Sequence, residues 1–486
     1  MIRRLLSARL ALVLLALAAG AATQTAGAQT VPDWDTRPAL GPAPAFAAPP
    51  VQRHTLSNGL PVLFAEKPGV PLAQLNLLVK TGSVDDGDRD GLASFAADMM
   101  DEGAGALGAL ELADAVDFLG IRLGVGADLH SLRVQLFTPL SKLDDALPLM
   151  ADVALRPTFP ADDLERVRTS ALTALAQRAD QPRAIAAVAL ARAVYGDHPY
   201  GRTGDGTAET LGGLTRQDLV DFHDRAVRPS NAALVVVGAT TWDAIQPRLE
   251  AAFGGDAWPA RPATPRDVLA EPGQVGPRRV LLVDKPGAAQ SVVRIARVGV
   301  PRQTPDYDAL QVLNTILGGS FTSRLNQNLR ERNGYSYGAG SSFSTRPVAG
   351  PFVAYADVQT AVTGPALTEF FNELAGIAEP VPDEELTKAR DNLALSFPAP
   401  FATVSGTAAM IGALWLDDLP EDTYAGTTAR VRAVTAADLG RLARQHVVPG
   451  EMVVVIVGDR AVIEDDVRAL GLGPVEVVTV QDVLGN

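Results

Sequence analysis

Parts of this chain are written twice, and that repetition limits its fold more than anything else in the sequence. Residues 62–69 read VLFAEKPG and residues 280–287 read VLLVDKPG, an offset of 218. Farther along, Leu214-Thr215, Asp218-Leu219, Pro229 and Gly238 are matched by Val434-Thr435, Asp438-Leu439, Pro449 and Gly458, an offset of 220 throughout. Two nearly equal offsets, more than 150 residues apart, mark a duplicated unit of about 220 residues. In each copy a helical stretch is followed by Pro and then by a Val-rich strand closed by Gly. The pattern predicts an α+β fold of two homologous domains. Each is a mixed, mostly antiparallel sheet with helices packed on one face.

The copies span residues 52–258 and 278–486. The stretch between them, 259–277, carries prolines at 259, 262, 265, 272 and 277 and reads as a linker. Ahead of the first copy come two segments with no core of their own. Residues 1–28 have Arg3, Arg4 and Arg9, an apolar run over 10–22 and a small-residue Ala26-Gly27-Ala28 site, which is the pattern of a cleaved signal peptide. Residues 29–51 form a Pro- and Ala-rich arm. The mature chain is therefore expected to be exported, periplasmic in a bacterium of two membranes, with no membrane span. Losing the leader removes those three arginines and no acid, taking the formal charge from −14 to −17. So acidic a chain is a poor match for nucleic acid. There is no cysteine, which excludes disulfides and thiolate chemistry.

In the first copy, Asn58-Gly59 between apolar runs predicts a hairpin over 54–67. A helix is expected over 91–101, with Leu92, Phe95, Ala96 and Met99 on one face. Residues 160–179 predict a long helix, and 232–237 a buried strand. In the second copy, residues 317–340 read LGGSFTSRLNQNLRERNGYSYGAG. A helical pattern there stops at Asn333-Gly334, a pair that tolerates the left-handed C-terminal cap. This places Arg330 in a last helical turn and Tyr337 at the start of a strand. A guanidinium and a phenol at such a junction can both donate to one oxygen on which negative charge develops.

These motifs, in this order, resemble the insulinase-like, or pitrilysin, family of zinc metallopeptidases, with the processing-peptidase branch closest in shape. The resemblance covers about residues 52–470. LRERNGYSYG resembles the family's Arg-and-Tyr element, with the seven-residue spacing kept at Arg330 and Tyr337. LGGSFTSRL resembles the Gly-containing segment before it. His198-Pro199-Tyr200-Gly201 followed by Gly206-Thr207 resembles a first-domain signature. Active members carry H-x-x-E-H on the helix that reads GLASFAADMM here, and in this chain those positions are Ser94, Ala97 and Asp98. The third ligand, a Glu on a later helix, would fall near Thr173 or Ala174.

The five histidines, His54, His130, His198, His223 and His446, include no pair at helical spacing. No metal site is therefore expected in this chain, and no hydrolysis by it alone. The resemblance implies a non-catalytic subunit that supplies Arg330 and Tyr337 in trans to a peptide substrate. Zinc, the one cofactor, would sit on a homologous partner subunit. The competing reading is an inactive pseudo-peptidase that binds peptides or scaffolds a complex.

Overall fold

The structure is a computed structural model that describes residues 46–262 and 268–485. The expected leader, most of the Pro- and Ala-rich arm and residues 263–267 of the expected linker lie outside the described residues. The first sheet begins with the hairpin, β1 (Gln52–Thr55) and β2 (Pro61–Glu66), turned through Gly59 at φ +87°. It continues with β3 (Leu72–Val79). A two-residue pair, β4 (Gly103–Ala104) and β5 (Leu107–Gly108), stands apart. Then β6 (Arg122–Ala127), β7 (Leu132–Pro139) and β8 (Ala232–Gly238) complete the order β1-β2-β8-β3-β7-β6. The second sheet is built from β9 (Arg279–Asp284), β10 (Gln290–Val298), β11 (Ser336–Phe343), β12 (Pro351–Gln359), β13 (Val453–Gly458) and β14 (Val475–Thr479). Its order is β11-β12-β10-β13-β9-β14.

The two repeated motifs are strand neighbours in both sheets. β2 runs parallel to β8, and β9 runs parallel to β13. Even the closing bond recurs: Lys67 N donates to Gly238 O and Lys285 N to Gly458 O, each at 2.8 Å. The repeated Thr-x-x-Asp is a capping box in both copies. Thr215 and Asp218 open the helix Arg216–Ala226, and Thr435 and Asp438 open Ala436–His446.

Helices such as Leu92–Met99 and Leu143–Leu155 cover one face of the first sheet, and Tyr307–Leu317 and Thr363–Gly376 cover the matching face of the second. The opposite faces are covered by exchange. The helix Pro182–Tyr195, from the first copy, lays Ile185, Ala186 and Ala189 on Leu281, Val283, Val292, Val453, Val455 and Val457 of the second sheet. The helix Val404–Leu416, from the second copy, lays Val404, Ala408 and Ile411 on Leu63, Ala65, Leu78, Val235 and Val237 of the first. β8 and β13 are buried at every position for this reason, and it is why both read as runs of valine rather than an alternation. Gly412 belongs to the same contact: a Cβ there would stand 3.0 Å from Leu78 Cδ1.

Past residue 267 the expected linker is pinned rather than free. Glu271 accepts from Ala349 N at 3.2 Å, and Gln274 Nε2 donates to Val298 O at 3.1 Å. Among the described residues no single helix is long and apolar enough to cross a membrane.

Candidate functional site

The helix Leu92–Met99 starts where two glycines meet. Gly91 has φ +94° and Gly206 has φ +76°, and a Cβ on Gly91 would come within 2.8 Å of Gly206 Cα. This contact docks the segment after His198-Pro199-Tyr200-Gly201 onto the helix start. Thr210 Oγ1 adds a bond to Asp90 O at 2.8 Å. Asp86, 4% exposed, accepts from Gly91 N and Ala93 N, each at 2.9 Å, and so satisfies N–H groups that begin the helix.

Burial nevertheless outweighs those two bonds and raises the Asp86 carboxyl to about 7. Its folded-state value therefore lies above its unfolded one, so the native state binds the extra proton between roughly pH 4 and 7 and stability falls as pH rises through that window. Asp86→Asn removes this dependence. Urea midpoints of the wild type should fall relative to Asp86→Asn between pH 5 and 7.5, by an equivalent of about 2–3 kcal/mol. No relative change over the same range would show that the cap bonds hold the carboxylate ionised.

Ser94, Ala97 and Asp98 sit on this helix. The Ser94 hydroxyl donates to Gly204 O at 2.7 Å, Ala97 is buried, and Asp98 keeps part of its surface in solvent while its carboxyl packs toward neighbouring acids. Asp98 is raised to about 6, by desolvation first and then by Asp101, Asp205 and Glu102. Thr173 and Ala174 are exposed on the helix Ala161–Arg178, where Thr173 Oγ1 bonds back to Thr169 O at 2.7 Å. One carboxylate, one engaged hydroxyl and a methyl group do not make a tetrahedral zinc site. Among the described residues no three His, Cys, Asp or Glu side chains cluster as metal ligands.

The histidines serve packing. His54 stacks on Trp242 at 3.7 Å, and His130 Nε2 meets the Tyr200 hydroxyl at 2.7 Å. His198 accepts from Tyr200 N at 3.0 Å through Nδ1, and its Nε2 bonds Ala270 O at 3.0 Å. His223 Nε2 bonds Ala154 O at 2.9 Å, and burial lowers its pKa. Burial lowers that of His446 as well.

Arg330 and Tyr337 line one cavity of about 710 Å³ in the second copy. The helical path into it differs from a plain helix. One α turn, Arg324–Asn326, widens into a π turn over Gln327–Arg332, and Asn333 N reaches back five residues to Asn328 O at 3.1 Å. Buried asparagines anchor the wider turn to its surroundings. Asn326 donates to Phe321 O at 2.6 Å and accepts from Ala339 N at 3.1 Å. Asn328 is held by Glu369 and Glu373, each at 2.7 Å. Such π insertions often occur at functional sites. Gly334, at φ +65°, then reverses the chain as the Asn-Gly pair predicts. Gly318 lets the preceding loop press on β11, since a Cβ there would lie 2.1 Å from Ser341 N.

Tyr337 is aimed by a break in strand register. Ser336 pairs with Val358 and Ala339 with Ala356, so Tyr337 and Gly338 together face only Asp357. This bulge turns the phenol out of the sheet, where it is 92% exposed on the edge strand β11. The Arg330 side chain is 37% exposed, lies over the Phe321 ring at 4.6 Å and has Glu331 beside its Nε at 3.3 Å. Sequence reasoning missed the rest of the wall. Asp357 is clamped by Arg294 at 3.1 Å and by Arg183, the latter from the exchanged helix of the first copy. Three guanidiniums against one carboxylate make the cavity cationic on an acidic protein.

Comparison with known proteins places the chain in a family. Residues 61–207 match the family described as Insulinase (Peptidase family M16), and residues 213–393 match Peptidase M16 inactive domain. The chain is 30% identical to an uncharacterized zinc protease of Mycobacterium tuberculosis over 74% of its own length and 80% of the relative's. It is 30% identical to one from Mycobacterium leprae, covering 63% of this chain and 68% of that one. Among solved structures, a peptidase M16 inactive domain from Pseudomonas fluorescens superposes with a TM-score of 0.79 at 27% identity, over 84% of this chain and 97% of that one. A protease from Helicobacter pylori shares the fold with a TM-score of 0.78 at 20% identity, over 84% of this chain and all of that one.

Proposed function

The chain belongs to the insulinase (M16) peptidase family, and within it we propose that it is the non-catalytic, substrate-binding subunit of a periplasmic heterodimeric metallopeptidase. One observation carries this reading. The helix at Ser94, Ala97 and Asp98 has lost the donors that chemistry needs, while Arg330 and Tyr337 stand together on a cavity wall with the phenol held out of its sheet. A scaffold alone has no use for such a pair. Arg330 and Tyr337 donate to the carbonyl oxygen of a peptide bond cleaved at the partner's metal, where negative charge develops. The free edge of β11 offers main-chain groups to an extended peptide, and the partner contributes the metal and the water-activating base.

Assembly and metal content test this together. Co-expressed with a homologue that carries the intact zinc motif, the chain should elute from size exclusion as a stable heterodimer. Purified by itself, it should hold no stoichiometric zinc and leave unstructured peptides uncut. About one zinc per isolated chain, surviving mild chelation, overturns the subunit assignment. Persistent monomers beside the zinc-bearing homologue replace it with the scaffold reading.

A further inference from the structure

A second cavity, of about 650 Å³, shares no lining residue with the one that holds Arg330 and Tyr337. It lies where the helix Tyr307–Leu317, the end of the helix Asp383–Ser396 and the loop following Val404–Leu416 converge. Tyr307, Phe397, Met410 and Tyr424 give it an aromatic and apolar wall, with Tyr424 held by a bond from its hydroxyl to Met410 O at 3.0 Å. The size and the mixture of apolar wall with a few polar groups are those of a small-molecule site.

Two arginines and two aspartates also line it, and they are treated differently. Arg430 and Asp308 are closed on each other at 2.6 Å. The remaining Arg430 donors go to Ala425 O and Thr423 O, each at 2.7 Å, and to Thr427 Oγ1 at 2.9 Å. Arg302 and Asp417 are left open. Among the described residues neither side chain makes a hydrogen bond, and no ion pair joins them. Arg302 lies 3.6 Å from the centre of the Tyr307 ring. The neighbouring lysine, Lys80, is taken by Asp418 instead. Burial raises the Asp417 carboxyl, and Arg302 is foremost among the charges drawing it back. Apart from that ring contact at Arg302, these partly buried charges have no hydrogen-bonding or ionic partner among the described residues, which is costly, and a ligand that matches both relieves the cost.

We propose that this cavity binds a free α-amino acid with an apolar side chain. The carboxylate meets Arg302, the ammonium meets Asp417, and the side chain lies among Tyr307, Phe397, Met410 and Tyr424. Charge decides the class. The four charged residues of the wall cancel, so a neutral zwitterion fits, whereas a simple anion or cation leaves one of the open pair unmet. A peptide terminus carries only one of the two charges, which sets this site apart from substrate binding at Arg330.

Isothermal titration of the full chain with L-leucine and L-phenylalanine should show saturable binding of one molecule per chain, with no partner subunit needed. N-acetyl-L-leucine and L-leucinamide each lack one charge and should bind at least about tenfold more weakly. Arg302→Met and Asp417→Asn should each weaken leucine binding by about tenfold or more, and the blocked ligands give the same answer on the wild-type chain if a variant folds poorly. No saturable binding of either amino acid at millimolar concentration overturns the proposal. So does N-acetyl-L-leucine binding as tightly as leucine.

Discussion

Arg330→Ala or Tyr337→Phe in the reconstituted heterodimer should lower turnover about a hundredfold while assembly and the partner's zinc content stay unchanged. Removing one preorganised donor to a developing oxyanion costs about 3 kcal/mol. The loss should fall mainly on kcat, because the donors act where charge appears in the transition state rather than on the bound peptide. Arg332→Ala is the control. Its side chain is 66% exposed, its nearest acid is Glu373 at 3.8 Å, and it does not line the cavity of Arg330. A pair that exposed and that long is worth at most about 0.5 kcal/mol. Equal, small effects at Arg330 and Arg332 would make both members of a solvated basic face and leave the scaffold reading standing.

The repeat was legible because its marked residues do local work that sequence can show. Thr215 with Asp218, and Thr435 with Asp438, are capping boxes, and a box needs only its own four residues. The turn at Gly334 was legible for the same reason. What surrounds Tyr337 was not. Its direction comes from two residues opposing one across the β11–β12 ladder, and no periodicity within β11 records what the partner strand does. Arg183 was missed because it reaches Asp357 from a helix 174 residues away in the chain. That helix, Pro182–Tyr195, spreads small apolar residues around its whole circumference, so it shows no amphipathic stripe to mark which sheet it serves. The doubly buried valines of β8 and β13 required a second cover on each sheet, but two such helices have two ways to be shared. Only the structure shows that each copy covers the other's sheet.

Exchange makes the two sheets one cooperative unit, and a single truncation tests it. Ile411 belongs to the second copy but is 2% exposed against Leu63, Leu78 and Val235 of the first sheet. Ile411→Ala should destabilise the protein by about 2–5 kcal/mol, the usual loss for a large aliphatic side chain removed from a packed core. Ile185→Ala, 0% exposed on the second sheet, should act alike in the reciprocal direction. The readout that separates exchange from ordinary core damage is where protection is lost. Amide hydrogen exchange should quicken in β3 and β8 for Ile411→Ala, more than 160 residues before the substitution, and in β10 and β13 for Ile185→Ala. If each copy instead stood alone, each change would loosen only the sheet of its own copy, and urea unfolding would divide into two transitions. A single transition, shifted by either substitution and with protection lost in the other copy, establishes that the two copies unfold together, and with them the cavity wall that Arg183 of one copy builds with Asp357 and Arg294 of the other.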